Sequence, residues 1–106
     1  MAEIILVDDD RVTLTMLEMV LSRHGYTVFS AQDGVEALRL VQEKKPAVVI
    51  SDMLIPRMDG MNLCRKIKQD RALTGTRVIL MTAVYKSVPF QFDVKECGAD
   101  RFIKKP

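Results

Sequence analysis

No stretch of this 106-residue chain approaches the ~20 consecutive apolar residues of a helical membrane span, which excludes a transmembrane helix. The N-terminus lacks the basic start and long apolar segment of a signal peptide, so the expected compartment is the cytoplasm. Cysteine is scarce: Cys64 and Cys97 stand alone, without CxxC spacing, and read as reduced, packing-type thiols of a cytosolic protein. Charge of one sign is lacking too. Sixteen basic residues face 14 acidic ones for a net +2, too even a balance to predict direct nucleic-acid binding from electrostatics. Histidine occurs once, at His24, where a helix is expected to end; it reads as a partly exposed capping group. There is no internal repeat, low-complexity segment or linker, so one domain is expected over 1–106.

What the chain does have is a hydrophobic content of 48%, enough for a packed core without disulfide or metal staples. The apolar pattern changes period repeatedly. Ile4-Ile5-Leu6-Val7 is a short continuous run, the pattern of a strand buried on both faces. Over 12–24 the period becomes helical, with Val12, Met16, Leu17, Val20 and Leu21 on one face and Gly25 a left-handed terminator. A strand is predicted over 26–31 and a helix from Asp33-Gly34 to Glu43, with Pro46 preventing its extension. Residues 47–51 form a third apolar run, and Met61, Cys64 and Ile67 the stripe of a third helix with Asp59 as N-cap. A strand over 78–81, an irregular helical segment over 84–97 and a strand over 101–103 complete the pattern. The seven methionines, Met16, Met19 and Met61 among them, read mostly as core filler. Strands alternating with helices in this way define an α/β fold with a parallel sheet and helices on both faces.

The chemistry gathers at strand ends. Asp8, Asp9 and Asp10 close the first run, and Asp52 closes the third. Adjacent carboxylates repel one another unless a cation or full hydration intervenes. If the two runs are neighbouring parallel strands, their acids crowd the sheet edge where open α/β folds keep their ligand sites. Hard oxygen donors of this kind suit Mg²⁺. Taken alone, Asp10 is more simply an N-cap for the helix that follows, Thr82 a strand-end hydroxyl, and Lys104 and Lys105 solvated lysines.

Four pieces together lift these residues further: Ile5-Leu6-Val7-Asp8-Asp9-Asp10, Ser51-Asp52 running through Pro56 to Asp59-Gly60, Met81-Thr82-Ala83, and Gly98-Ala99-Asp100 running on to Lys105-Pro106. In this order and at these strand ends, the chain resembles along its whole length the receiver domain of two-component response regulators. The resemblance implies a doubly wound, flavodoxin-like sheet of strand order 2-1-3-4-5. It implies Asp52 as phosphoacceptor, and Mg²⁺ held by Asp9, Asp52, the Leu54 backbone carbonyl and, through water, Asp8. Lys105 and the Thr82 hydroxyl would meet the phosphoryl oxygens. The phosphoryl group would come from a histidine kinase or phosphotransfer protein, and Thr82 with Phe102 on the last strand would carry the switch to a downstream effector. Phe102, lacking a hydroxyl, would change position by packing alone.

Two departures from the family pattern stand out. Leu54 and Val84, each two residues beyond a site residue, are apolar and cannot orient an attacking water, which predicts slow self-dephosphorylation. Receivers also carry a fifth helix after the Lys-Pro pair, which is absent from this chain; either a longer parent protein or a neighbouring copy covering that face, as a dimer, is expected. The Lys105–Pro106 bond is a candidate cis peptide. Three other readings compete: a docking module independent of phosphorylation, a Mg²⁺-dependent phosphohydrolase, and a flavodoxin-type phosphate binder. The phosphohydrolase lacks a general acid and a substrate pocket in the sequence. The phosphate binder would meet repulsion from Asp8-Asp9-Asp10. The expected protein is a signalling domain with self-phosphorylation, not a turnover enzyme.

Overall fold

A computed structural model describes residues 2–82 and 97–104; the expected helix over 84–97, Val84 and the Lys105–Pro106 pair lie outside them. The order of elements is β1 (Glu3–Val7), α1 (Arg11–Arg23), β2 (Thr27–Ala31), α2 (Gly34–Lys44), β3 (Val48–Asp52), α3 (Gly60–Gln69), a 3₁₀ turn (Arg71–Leu73), β4 (Arg77–Thr82) and β5 (Arg101–Lys104). The five strands form one parallel sheet in the order β2-β1-β3-β4-β5, as expected.

Side-chain parity along β1 divides the core in two. Ile5 and Val7 point to one face, where they pack with Ala37 and Val41 of α2 and Leu63, Cys64 and Ile67 of α3. Ile4 and Leu6 point to the other, against Leu14, Leu17 and Leu21 of α1. β1 is therefore buried on both sides, which is why its sequence is a continuous apolar run.

Aspartate caps set the helix starts. Asp10, Asp33 and Asp59 accept from the backbone N–H of Val12, Glu36 and Asn62 at 3.0, 2.8 and 2.8 Å. At the far end of α1, His24 Nδ1 donates to the Val20 carbonyl at 2.8 Å, and Gly25 follows at φ 91. Both were legible. The cysteines are buried thiols, with Cys64 Sγ donating to the Cys97 carbonyl at 3.3 Å. Burial, with Cys97 beside it, holds the Cys64 thiol far above its ordinary range.

One expectation fails on α1. Val12, Met16 and Val20 were assigned to its core face, and Met16 and Met19 to core filler, yet these side chains are 47–76% exposed. The buried residue is Leu14, flanked by threonines. Periodicity locates an apolar stripe, but only a packing partner makes it a core face. Among the described residues, none covers the outer side of this helix.

Candidate functional site: an acidic cluster at the sheet edge

The β1–β3 register pairs Val7 with Ser51, so Asp8 and Asp52 emerge side by side at the C-terminal edge of the sheet. Asp8 is fully buried and Asp52 nearly so, while Asp9 is exposed at the rim. Carboxylate oxygens of all three lie within 4.8 Å of one another. Asp10, by contrast, turns to α1: besides its capping bond, its carboxylate accepts from the Thr13 hydroxyl at 2.9 Å.

Local backbone fixes the buried pair. The Asp8 N–H donates to the Ala31 carbonyl at 3.1 Å, continuing the β1–β2 ladder one residue past the strand. Its Oδ1 accepts from the Asp10 N–H at 2.9 Å. Asp52 Oδ1 accepts from the Leu54 N–H at 3.2 Å, and Ser51 Oγ donates to the Asp52 carbonyl at 2.8 Å. Beyond β3 the chain closes a loop, in which Met53 N–H donates to the Met81 carbonyl and Gly60 N–H returns to the Met53 carbonyl, both at 2.9 Å. Gly60 sits so close to β3 that a Cβ there would come within 2.5 Å of the Asp52 carbonyl oxygen. Residue 60 must be glycine for α3 to seat against the site.

Thr82 ends β4, one residue beyond Met81, the register partner of Asp52, and is buried. Across from it in register is Lys104 of β5, the residue before Lys105. Phe102 is half-buried against the main core. The Leu54 side chain is 73% exposed above the cluster. The structure therefore brings Asp8, Asp9, Asp52 and Leu54 together, with Thr82 on the neighbouring strand end.

Two ion pairs escaped the sequence reading because each joins residues distant in the chain. Arg57 pairs with Asp33 at 3.2 Å, and Lys68 with Asp100 at 2.6 Å. Their only sequence signal is a charge inside a turn-rich or strand-flanking segment, which a solvated residue gives equally well.

Three hard-oxygen donors of like charge, converging from two strand ends, form a set able to bind a divalent cation. A parallel five-stranded sheet in this order with acids at its C-terminal edge defines a doubly wound α/β domain with its ligand site at that edge. The family model of the response regulator receiver domain matches residues 4–106, and the chain belongs to that family. It is 39% identical over 104 residues to response regulator MprA of Mycobacterium sp. (strain KMS), covering 97% of this chain and 44% of that protein. It spans less than half the length of such relatives. The signal receiver domain of a histidine kinase from Syntrophus aciditrophicus superposes with a TM-score of 0.91 at 37% identity, covering 100% of this chain and 80% of that one. A response regulator from Burkholderia pseudomallei, solved with a phosphorylated aspartic acid, a calcium ion and citrate, superposes with a TM-score of 0.89 at 25% identity, covering 100% of this chain and 61% of that one. The chain is thus a receiver domain of two-component signalling, a module found in both response regulators and histidine kinases.

Proposed function

We propose that the domain takes a phosphoryl group from a histidine kinase or phosphotransfer protein onto Asp52 in a Mg²⁺-dependent step, and that the acyl phosphate changes the surface it offers to a downstream effector. The observation that carries this reading is the convergence of Asp8, Asp9 and Asp52 within 4.8 Å at one sheet edge. An Asp52 carboxylate oxygen attacks phosphorus, the phosphorus–nitrogen bond of the donor histidine breaks, and the electron pair leaves with the imidazole. Asp9, Asp52 and the Leu54 carbonyl would hold Mg²⁺, with Asp8 acting through water. When bound, the ion offsets the negative charge of the acids and of the incoming group. Thr82, buried at the adjoining strand end, would donate its hydroxyl to a phosphoryl oxygen. Lys105 would supply an ammonium to the same group.

The mark adds about −1.5 to −2 charge at one strand end. Thr82 and Phe102 are the residues proposed to relay it, Phe102 by a change of packing on β5. The domain acts by self-phosphorylation and contact, not turnover, in the cytoplasm, without direct nucleic-acid or membrane binding.

The test adds Mg²⁺ and a small phosphodonor and reads intact mass. One phosphoryl adduct on the wild type and none on Asp52→Asn is the expected result. An adduct on both proteins moves the acceptor elsewhere. An adduct on neither favours a phosphorylation-independent docking module.

A further inference from the structure

The loop after β3 is held at two places, and only one belongs to the acidic site. Its base is closed by the Gly60–Met53 bond. Its apex leans on the N-terminus of α2, where the Gly34 N–H donates to the Pro56 carbonyl at 3.1 Å. The contact is close: a Cβ on Gly34 would fall 2.1 Å from the Met58 carbonyl oxygen. Next to it, Arg57 adopts φ 70, a left-handed conformation that disfavours any residue with a Cβ. Arg57 Nη2 lies 3.2 Å from Asp33 Oδ1, the same oxygen that caps α2 through Glu36 N–H.

Leu54 lies between the two anchors. Its N–H reaches Asp52, and its carbonyl is a cation donor in the function proposed above. We infer that Arg57, through Asp33 at the start of α2, is a positioning residue for the divalent-cation site: the ion pair holds the 53–58 loop, and with it the Leu54 backbone, in register with Asp9 and Asp52. This rests on the cation reading above. Arg57 is not one of the clustered acids; its guanidinium is engaged by Asp33 at the start of α2. The Glu36 N–H first, and then Arg57, hold the Asp33 carboxyl below its ordinary range, so the pair is charged at neutral pH. Its side chains are 59% and 21% exposed, which makes the coupling modest and sensitive to salt.

The test titrates Mg²⁺ alone, without phosphodonor, and follows amide NMR shifts of Asp9 and Leu54 in wild type, Arg57→Gln and Arg57→Lys. At low ionic strength the Mg²⁺ midpoint of Arg57→Gln rises by about two- to fivefold, and Arg57→Lys restores most of it. In about 0.5 M inert salt the wild type and Arg57→Gln converge, and at low salt the urea midpoint of Arg57→Gln falls only by the small amount an exposed ion pair contributes and is restored in Arg57→Lys. A general loss of stability would move the urea midpoint and would not be rescued by lysine; that result overturns the inference. Equal Mg²⁺ midpoints at low salt overturn it too, while leaving the acidic site and Asp52 phosphorylation intact. No Mg²⁺-dependent shift in the wild type would overturn both the inference and the cation reading.

Discussion

At the scale of single residues, Leu54 and Asp100 make separable predictions. Hydrolysis of an acyl phosphate on Asp52 needs a water aligned with phosphorus, and a polar side chain two residues along could hold it there. Leu54 presents an apolar, 73% exposed side chain instead. The phosphoryl adduct is therefore expected to persist for hours in purified protein, and Leu54→Gln to shorten its life by roughly tenfold. Intact mass followed over time gives both lifetimes; fast decay in the wild type would remove this role for Leu54. Asp100 acts on stability. Burial alone would raise its carboxyl, but Lys68, the Val78 N–H and Arg77 outweigh burial and lower it below 3.8. Lys68 Nζ also donates to the Thr76 carbonyl at 3.1 Å, so one lysine ties α3 to the start of β4 and to the turn before β5. Since the folded pKa is depressed, the stabilisation is present above the unfolded value of 3.8 and is lost as pH falls through the folded one. Asp100→Asn should cost about 1 kcal/mol at pH 7, the low end for a charged hydrogen bond because the carboxylate meets solvent. The two proteins should converge in urea denaturation as pH falls through the depressed folded value, and a gap independent of pH would refute the electrostatic account.

Among elements, α3 bears most directly on the site, because Gly60 carries it against β3. Gly60→Ala forces a Cβ to within 2.5 Å of the Asp52 carbonyl oxygen and 2.8 Å of Met53 Cα, both backbone atoms that cannot swing aside. The helix must shift, at a cost of about 1–3 kcal/mol, and Asp52 phosphorylation slows as its strand end moves. Gly75→Ala is the control, since a Cβ there meets nothing within 4 Å; a thermal melt should separate the two variants clearly. α3 was also the helix read best from sequence. Its stripe of Cys64 and Ile67 is buried in the core with Met61 partly buried against it, and its cap Asp59 is local, so periodicity and capping agree. α1 was read less well for the same physical reason in reverse. Val12, Met16 and Val20 keep helical spacing, but among the described residues they stay largely or half exposed and outside the core. The acids at strand ends were legible because parallel pairing turns adjacency in pattern into adjacency in space. The Arg57–Asp33 and Lys68–Asp100 pairs were not, because their spacing in the chain carries no such rule.

For the molecule as a whole, the acidic cluster sets folding against function. Folding concentrates Asp8, Asp9 and Asp52 at one edge, while the unfolded chain lets them separate. Without metal, like charges this close are expected to repel one another, and a divalent cation that binds only the folded state is expected to offset that repulsion. Asp9 is the member to alter, since it is exposed at the rim and its loss leaves no buried polar group behind. Asp9→Asn should be more stable than wild type in chelator by about 1 kcal/mol, the repulsion of two charges about 4 Å apart screened by bulk water, as suits a carboxylate exposed at the rim. With Mg²⁺ at ten times its dissociation constant, the wild type gains about 1.4 kcal/mol and the variant little, so the order of stabilities reverses. Salt narrows the metal-free gap by screening. Urea midpoints with chelator and with Mg²⁺ measure the reversal directly. A variant less stable than wild type in chelator would show that repulsion among these carboxylates is already relieved by other means, and that the metal is not what the cluster's charge is arranged to attract.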